Sequence, residues 1–254
     1  MNAVAYWLED EKLAAGTPKT ALEFLLERGR VISLVGGGGK TTLMYALAQA
    51  ACECGLRAAV TTTTHIGLPA KLCRTMDDCR ACWAAGTYAV CGEETDGKLS
   101  APAPALMEAL LAEAQVLLVE ADGARRLPCK APAAHEPVIL PQTDAVIAVM
   151  GLDALDKPVQ EICLRADAVQ ALLGCAPAHR ITGEDMVKLL CDERGSRKGV
   201  GGREYVVVLN KCDDAQRLEA GRQMLTMLRE RGLMHAVLTA GMVRSETFER
   251  TARR

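Results

Sequence analysis

The run Gly36-Gly37-Gly38-Gly39-Lys40-Thr41-Thr42 holds the residues of this chain best suited to gripping a polyphosphate. Glycines let successive backbone N–H groups turn inward around an anion, a helix starting at the lysine aims its positive end at the same place, and the lysine adds a mobile charge. Thr41 follows where a hydroxyl reaches Mg2+. The usual G-x-x-x-x-G-K-[ST] spacing asks for glycine at position 34, where this chain has leucine, so the loop is a variant. Four glycines in a row cost too much conformational entropy to be kept for a plain turn.

A second set of reactive side chains closes the apolar run Val116-Leu117-Leu118-Val119 with Glu120-Ala121-Asp122-Gly123. Carboxylates at the end of a buried strand are expensive unless a cation meets them. In phosphoryl-transfer sites an acid placed there holds Mg2+ directly or through water. Lys40, Glu120 and Asp122 are therefore the expected catalytic residues, and Thr41 and Asp122 the expected Mg2+ ligands. The following Pro-interrupted loop carries Arg125, Arg126 and Lys130, three cations that could bind a nucleotide or a second, anionic substrate, or simply be solvated. Thr61 to Thr64 and His65 end another apolar run. Thr61 to Thr64 could offer hydroxyls to Mg2+, water or phosphate, since ligands of open parallel sheets lie beyond the carboxyl ends of the strands, and Thr63, Thr64 and His65 are candidate substrate contacts; the alternatives are threonine's β-propensity and a helix-entry or packing role for His65.

The third constellation is Asn210-Lys211-Cys212-Asp213 after Tyr205-Val206-Val207-Val208-Leu209. Asn-Lys-x-Asp at a strand end resembles the guanine-recognition element of GTPases, in which the aspartate accepts from guanine N1–H and the 2-amino group. Adenine offers no such donor pair. Thr239-Ala240-Gly241, after a later apolar run, resembles the pair whose backbone N–H meets guanine O6. The expected nucleotide-binding set is thus Gly36, Gly37, Gly38, Gly39, Lys40, Thr41, Thr42, Asn210, Lys211, Asp213, Thr239 and Ala240, with GTP preferred over ATP and Mg2+ as cofactor.

Apolar runs alternate with helical periodicity, which predicts one three-layer α/β P-loop NTPase-like domain over 1–254 with a mainly parallel sheet. Residues 1–18 read as a loose lead-in and 70–104 as an insertion. Helices are expected over 19–29, from the glycine loop to Gly55, and over 70–85, 105–114, 162–173 and 214–231, with one more headed by Thr182-Gly183-Glu184-Asp185. Strands are expected over 57–66, 87–91, 116–119, 144–150, 205–209 and 235–238, with a turn at 95–97 and a flexible basic connection over 194–202.

Half of the 254 residues are hydrophobic but only 3% aromatic, so the core is built from small aliphatic side chains, as suits parallel strands under helices. A net charge of −2 lacks the basic field of a nucleic-acid or membrane-surface binder. Partners are expected to be a nucleotide, small anions or proteins, a second copy of the chain among them. With no 18-residue apolar run and an acidic start, the chain reads as cytoplasmic. Its eleven cysteines then read mostly as reduced thiols. Cys73, Cys79, Cys82 and Cys91 include one C-x-x-C pair with metal or redox spacing, but no second pair of comparable spacing.

The combination Val-Gly-Gly-Gly-Gly-Lys-Thr-Thr-Leu-Met (35–44), Val-Thr-Thr-Thr-Thr-His-Ile (60–66) and Val-Glu-Ala-Asp-Gly-Ala-Arg-Arg-Leu-Pro-Cys-Lys-Ala-Pro-Ala-Ala-His-Glu-Pro-Val (119–138) resembles the YqeC family, accessory proteins of selenium-dependent molybdenum hydroxylases. The resemblance runs from about residue 19 to 245, and its long central motif is more specific than the glycine loop. It implies a bacterial maturation factor that handles a nucleotide while a selenium-containing molybdenum cofactor is made or inserted, with a molybdenum hydroxylase or its cofactor-handling proteins as partners. Cys129 stands where leucine is expected, one apolar residue for another. The expected activity is Mg2+-dependent binding and slow hydrolysis of GTP. The alternatives are a small-molecule kinase or nucleotidyl transferase, and a nucleotide-gated carrier with little turnover.

Overall fold

A computed structural model of the protein describes residues 3–242, so that positions 243–245 of the family resemblance lie outside the described residues. The chain opens with β1 (Val4–Glu9), β2 (Lys12–Gly16) and α1 (Pro18–Leu22), then β3 (Arg30–Gly36), α2 (Lys40–Glu53), β4 (Ala58–Thr62), β5 (Ile66–Gly67), α3 (Met76–Ala84), β6 (Ala89–Val90), β7 (Glu93–Thr95), β8 (Lys98–Ser100) and α4 (Pro104–Glu113). It continues through β9 (Val116–Glu120), β10 (Cys129–Lys130), β11 (Ala145–Gly151), α5 (Val159–Ile162), β12 (Cys163–Leu164), α6 (Ala166–Leu173), α7 (Gly183–Cys191), β13 (Glu204–Asn210), α8 (Ala215–Glu230) and β14 (Ala236–Ala240).

Nine strands form one sheet in the order β2-β1-β14-β13-β11-β3-β9-β4-β6. Every pairing from β14 across to β6 is parallel. These are the continuous apolar runs, which suit strands buried on both faces. Alternation sends their side chains to two layers. Ile32, Leu34, Ile147, Val149, Val206 and Val208 pack with Leu43, Met44 and Leu47 of α2. On the other face Val146, Met150, Val207 and Leu209 pack with α7 and α8, while Leu117 and Val119 pack with Leu110 of α4 and the α3 cysteines. Full burial of each such Leu, Ile or Val contributes about 1.5–3 kcal/mol. The result is the expected three-layer α/β domain with a mostly parallel sheet. Among the described residues no helix is long and apolar enough to cross a membrane.

Several local expectations are corrected. Residues 4–16 are not a loose lead-in: β1 and β2 form a hairpin, and β1 pairs antiparallel with β14. The turn uses Asp10 and Glu11, both at positive φ, the backbone of a primed two-residue turn without the usual glycine. Ala5 and Trp7 pack to one face of the sheet, and Tyr6 and Leu8 to the other. The helix expected over 19–29 is α1, which Thr17 caps through Thr20 N at 3.1 Å, followed by a 3-10 turn over Glu23–Leu25 after Leu22 leaves helical backbone angles. Residues 70–75 are irregular, with Cys73 in an isolated bridge, before α3, whose start is set by a Thr75/Asp78 capping box. The 70–104 stretch contributes β6 to the edge of the main sheet and the small sheet β5-β8-β7. The helix expected over 162–173 is broken where β12 pairs with β10, with Arg165 left-handed before α6. The 194–202 connection is packed rather than loose: Ser196 N donates to Leu189 O at 2.8 Å, and Lys198 Nζ donates to the carbonyls of Ala133 at 2.6 Å and Ala134 at 2.9 Å.

Candidate nucleotide site

Because β3, β4, β9, β11, β13 and β14 run parallel, their carboxyl ends open along one edge and carry the glycine loop, Thr62, Glu120, Gly151, Asn210 and Ala240. The glycine loop is held by its neighbours at each position. A Cβ at Gly36 would strike Val149 O, at Gly37 Leu127 O, at Gly38 Gly151 N, and at Gly39 Asn210 Nδ2. Gly39 also has φ +127°, which an L side chain rarely adopts. Gly36 N donates to Asp122 Oδ2 at 3.0 Å, Gly37 N to Val149 O at 2.8 Å, and Gly38 N to Leu127 O at 3.0 Å. Lys40, Thr41 and Thr42 form the first turn of α2, whose N–H groups have no intrahelical acceptor.

Lys40 is 3% exposed. Its Nζ lies 2.5 Å from Gly36 O, 3.1 Å from Asp122 Oδ1 and 3.6 Å from Glu120 Oε1. Burial pulls its pKa down, but the charges of Asp122 and Glu120 outweigh that and hold it above the ordinary value, so the ammonium persists. Glu120 takes the Thr41 hydroxyl at 2.7 Å. Its own pKa is raised, first by burial and also by Asp122, against the pull of Lys40 and Thr41. Asp122 Oδ1 is buried and, apart from its ion pair with Lys40 Nζ at 3.1 Å, has no other partner among the described residues. A carboxylate oxygen there has the hard-donor chemistry that Mg2+ takes.

Lys130 is corrected from the sequence expectation. It does not stand with the arginines in a substrate-facing loop but is buried behind the carboxylates. Its Nζ lies 2.9 Å from Asp122 Oδ2, 2.7 Å from Glu136 Oε2 and 2.7 Å from Gly123 O, and Arg165 reaches Glu136 at 2.9 Å. A chain of alternating charge thus runs Lys40, Asp122, Lys130, Glu136, Arg165. Arg125 and Arg126 are exposed, both at positive φ. Thr63 Oγ1 donates to Val138 O at 2.8 Å, Thr64 N donates to Thr62 Oγ1 at 3.0 Å, and His65 is exposed. Thr63 N also donates to Glu120 O at 3.1 Å, so Thr63 sits beside the end of β9 with its hydroxyl already engaged.

The Asn-Lys-Cys-Asp segment comes to the same ledge. Asn210 Nδ2 donates to Gly38 O at 2.9 Å, and Asn210 Oδ1 accepts from Thr239 Oγ1 at 2.9 Å. Asp213, exposed, accepts from Gly241 N at 3.0 Å, beside Ala240. Asp214, not Asp213, caps α8, through Arg217 N at 2.8 Å. Lys211, at φ +63°, reaches Asp153 at 2.5 Å. Sequence reading missed Asp153, Glu136 and Arg165. Only the Lys130–Glu136 spacing within the Pro-rich loop offered a signal for any of them.

A parallel α/β sheet with a glycine loop between its central strand and a helix, a buried lysine and two carboxylates beside it, defines a P-loop-like α/β domain. The chain belongs to the YqeC family: the profile described as YqeC protein matches residues 32–167. It is also similar to the uncharacterized protein YqeC of Escherichia coli (strain K12), at 32% identity over 225 residues covering 80% of this chain and 84% of that protein.

Proposed function

We propose that the protein binds a nucleoside triphosphate with Mg2+, GTP in preference to ATP, hydrolyses it slowly, and acts in the cytoplasm in the maturation of selenium-dependent molybdenum hydroxylases. The maturation role rests on the family resemblance alone. The observation that carries the nucleotide reading is Asn210, whose amide joins the glycine loop at Gly38 to Thr239, so the phosphate-binding and base-binding motifs share one ledge. Lys40 would leave its carboxylate partners for the phosphates and offset charge developing in the transition state. Thr41 and Asp122 would hold Mg2+, which supplies Lewis-acid polarisation of the phosphoryl oxygens. Glu120 would orient water. The exposed Arg125-Arg126 pair beside Leu127, which contacts Gly38, favours one second reading, transfer to an anionic acceptor. Single-turnover assays with labelled GTP separate the two: free phosphate supports hydrolysis, a labelled acceptor supports transfer, and no binding of GTP or ATP with Mg2+ removes the proposal.

Base choice has its own test. Asp213→Asn keeps an acceptor for Gly241 N but loses the charge facing two guanine donors, about 1.5–3 kcal/mol per bond. GTP affinity should fall roughly ten- to a hundredfold per lost bond while xanthosine triphosphate gains. Unchanged selectivity in competition binding retires the guanine assignment.

A further inference from the structure

Of the chain's eleven cysteines, four converge on one point. Cys73 Sγ lies 3.6 Å from Cys82 Sγ, Cys79 Sγ lies 3.4 Å from Cys91 Sγ, and Cys73 also shares hydrogen bonds with Cys79 and Cys91. All four are at most 3% exposed. The fold assembles them deliberately. Cys73 and Cys91 face each other in an isolated parallel bridge, Cys73 N donating to Val90 O at 2.8 Å. Cys79 and Cys82, three residues apart, share the buried side of α3, whose start is pinned by the Thr75/Asp78 capping box. The second pair that the linear spacing lacked is therefore supplied by strand geometry.

We propose that Cys73, Cys79, Cys82 and Cys91 form a tetrathiolate site for a thiophilic metal ion, Zn2+ above all, that fastens the 66–100 excursion to the edge of the sheet. Four sulfurs about 2.3 Å from a common ion lie about 3.8 Å from one another. The two contacts at 3.6 and 3.4 Å fall just inside that length, so small side-chain rotations open the cluster around an ion. Among the described residues no group of His, Cys, Asp or Glu stands already spaced as a cage, and those rotations are what uptake requires. Four sulfur ligands with no polar alternative select a soft or borderline ion and leave no open coordination position, which makes the site structural. Each thiol loses its proton to solvent as it ligates, so affinity weakens as pH is lowered. Cys91 also ties the cluster to β4: Thr61 Oγ1 donates to Cys91 O at 2.9 Å, and the next residue, Thr62, donates to Glu120 O at 2.9 Å.

The full chain, expressed and purified under reducing conditions without chelator, should carry about one Zn2+ by elemental analysis and bind it more tightly than about 0.1 µM. Co2+ in its place should give the strong near-ultraviolet charge-transfer and visible bands of tetrahedral thiolate coordination. The double variant Cys79→Ser, Cys91→Ser should lose the ion, and Cys54→Ser, at an exposed position, should keep it. Since the double variant can fail to fold, the wild-type cobalt spectrum decides. A folded wild-type chain that takes up neither ion overturns the proposal. So does a non-reduced mass lighter by four hydrogens, because two disulfides would then use the same sulfurs.

Discussion

Replacing Lys130 with methionine removes the centre of the buried charge chain while keeping most of its volume. The side chain is 2% exposed, and its partners Asp122 and Glu136 are 3% and 12% exposed. Breaking a buried pair costs about 3–5 kcal/mol, because the remaining charge is left uncompensated. Here each carboxylate keeps a second cation, Asp122 through Lys40 at 3.1 Å and Glu136 through Arg165 at 2.9 Å. The loss should therefore sit at the low end, about 3 kcal/mol, which for a chain of this size lowers Tm by roughly 6–12 °C. Burial pushes the Glu136 pKa up, but Lys130 and Arg165 outweigh it and hold it below 4.5. With a depressed folded pKa, its stabilisation is present above the unfolded value and fades as pH falls through the folded one. The gap between wild type and Lys130→Met should narrow over that same acidic range. Calorimetry at neutral and acidic pH measures both. A neutral-pH shift under about 3 °C, the scale of an exposed pair, would refute the burial argument.

Glu120 should take up a proton at higher pH than a free glutamate, since burial is the largest influence on it. Its ionised form is costly above that raised pKa, and the cost is relieved on acidification. Mg2+-dependent GTP hydrolysis should then decline with acidification before the ordinary glutamate range, and Glu120→Gln should turn over about a hundredfold more slowly with a flat profile. Single-turnover rates across pH decide, and an equally steep profile in the variant assigns the titration elsewhere. Gly39→Ala places a methyl against Asn210 Nδ2 at a backbone angle costing about 1–3 kcal/mol. Nucleotide affinity should fall at least roughly tenfold on equilibrium titration, and wild-type affinity would show that the loop relaxes freely.

The parts of this molecule readable from sequence are those whose signal is local. Val116 to Glu120 and Tyr205 to Asn210 are apolar runs ending in polar residues, which marks both the strand and the edge it reaches. Thr182 and Asp185 specify the start of α7 within four residues. What stayed hidden depends on distant partners. The Asp10-Glu11 turn lacks glycine, and its strands make sense only beside β14. Leu164 leaves the helical pattern because Lys130 lies opposite it. Lys130 has near partners in Asp122 and Glu136, yet reads as a surface cation, because its burial depends on Asp122 being held against the distant glycine loop through Gly36 N.

At Gly38 the two motifs and the basic loop meet: its N–H is held by Leu127 and its carbonyl by Asn210. A ligand that displaces this residue acts on both bonds together. The thermodynamics of such a junction is symmetric, since any factor by which a bound base alters affinity at the Arg125-Arg126 loop must equal the factor by which occupancy of that loop alters affinity for the base. On the proposed function, the coupling between nucleotide and second anion is then one quantity measured from two ends.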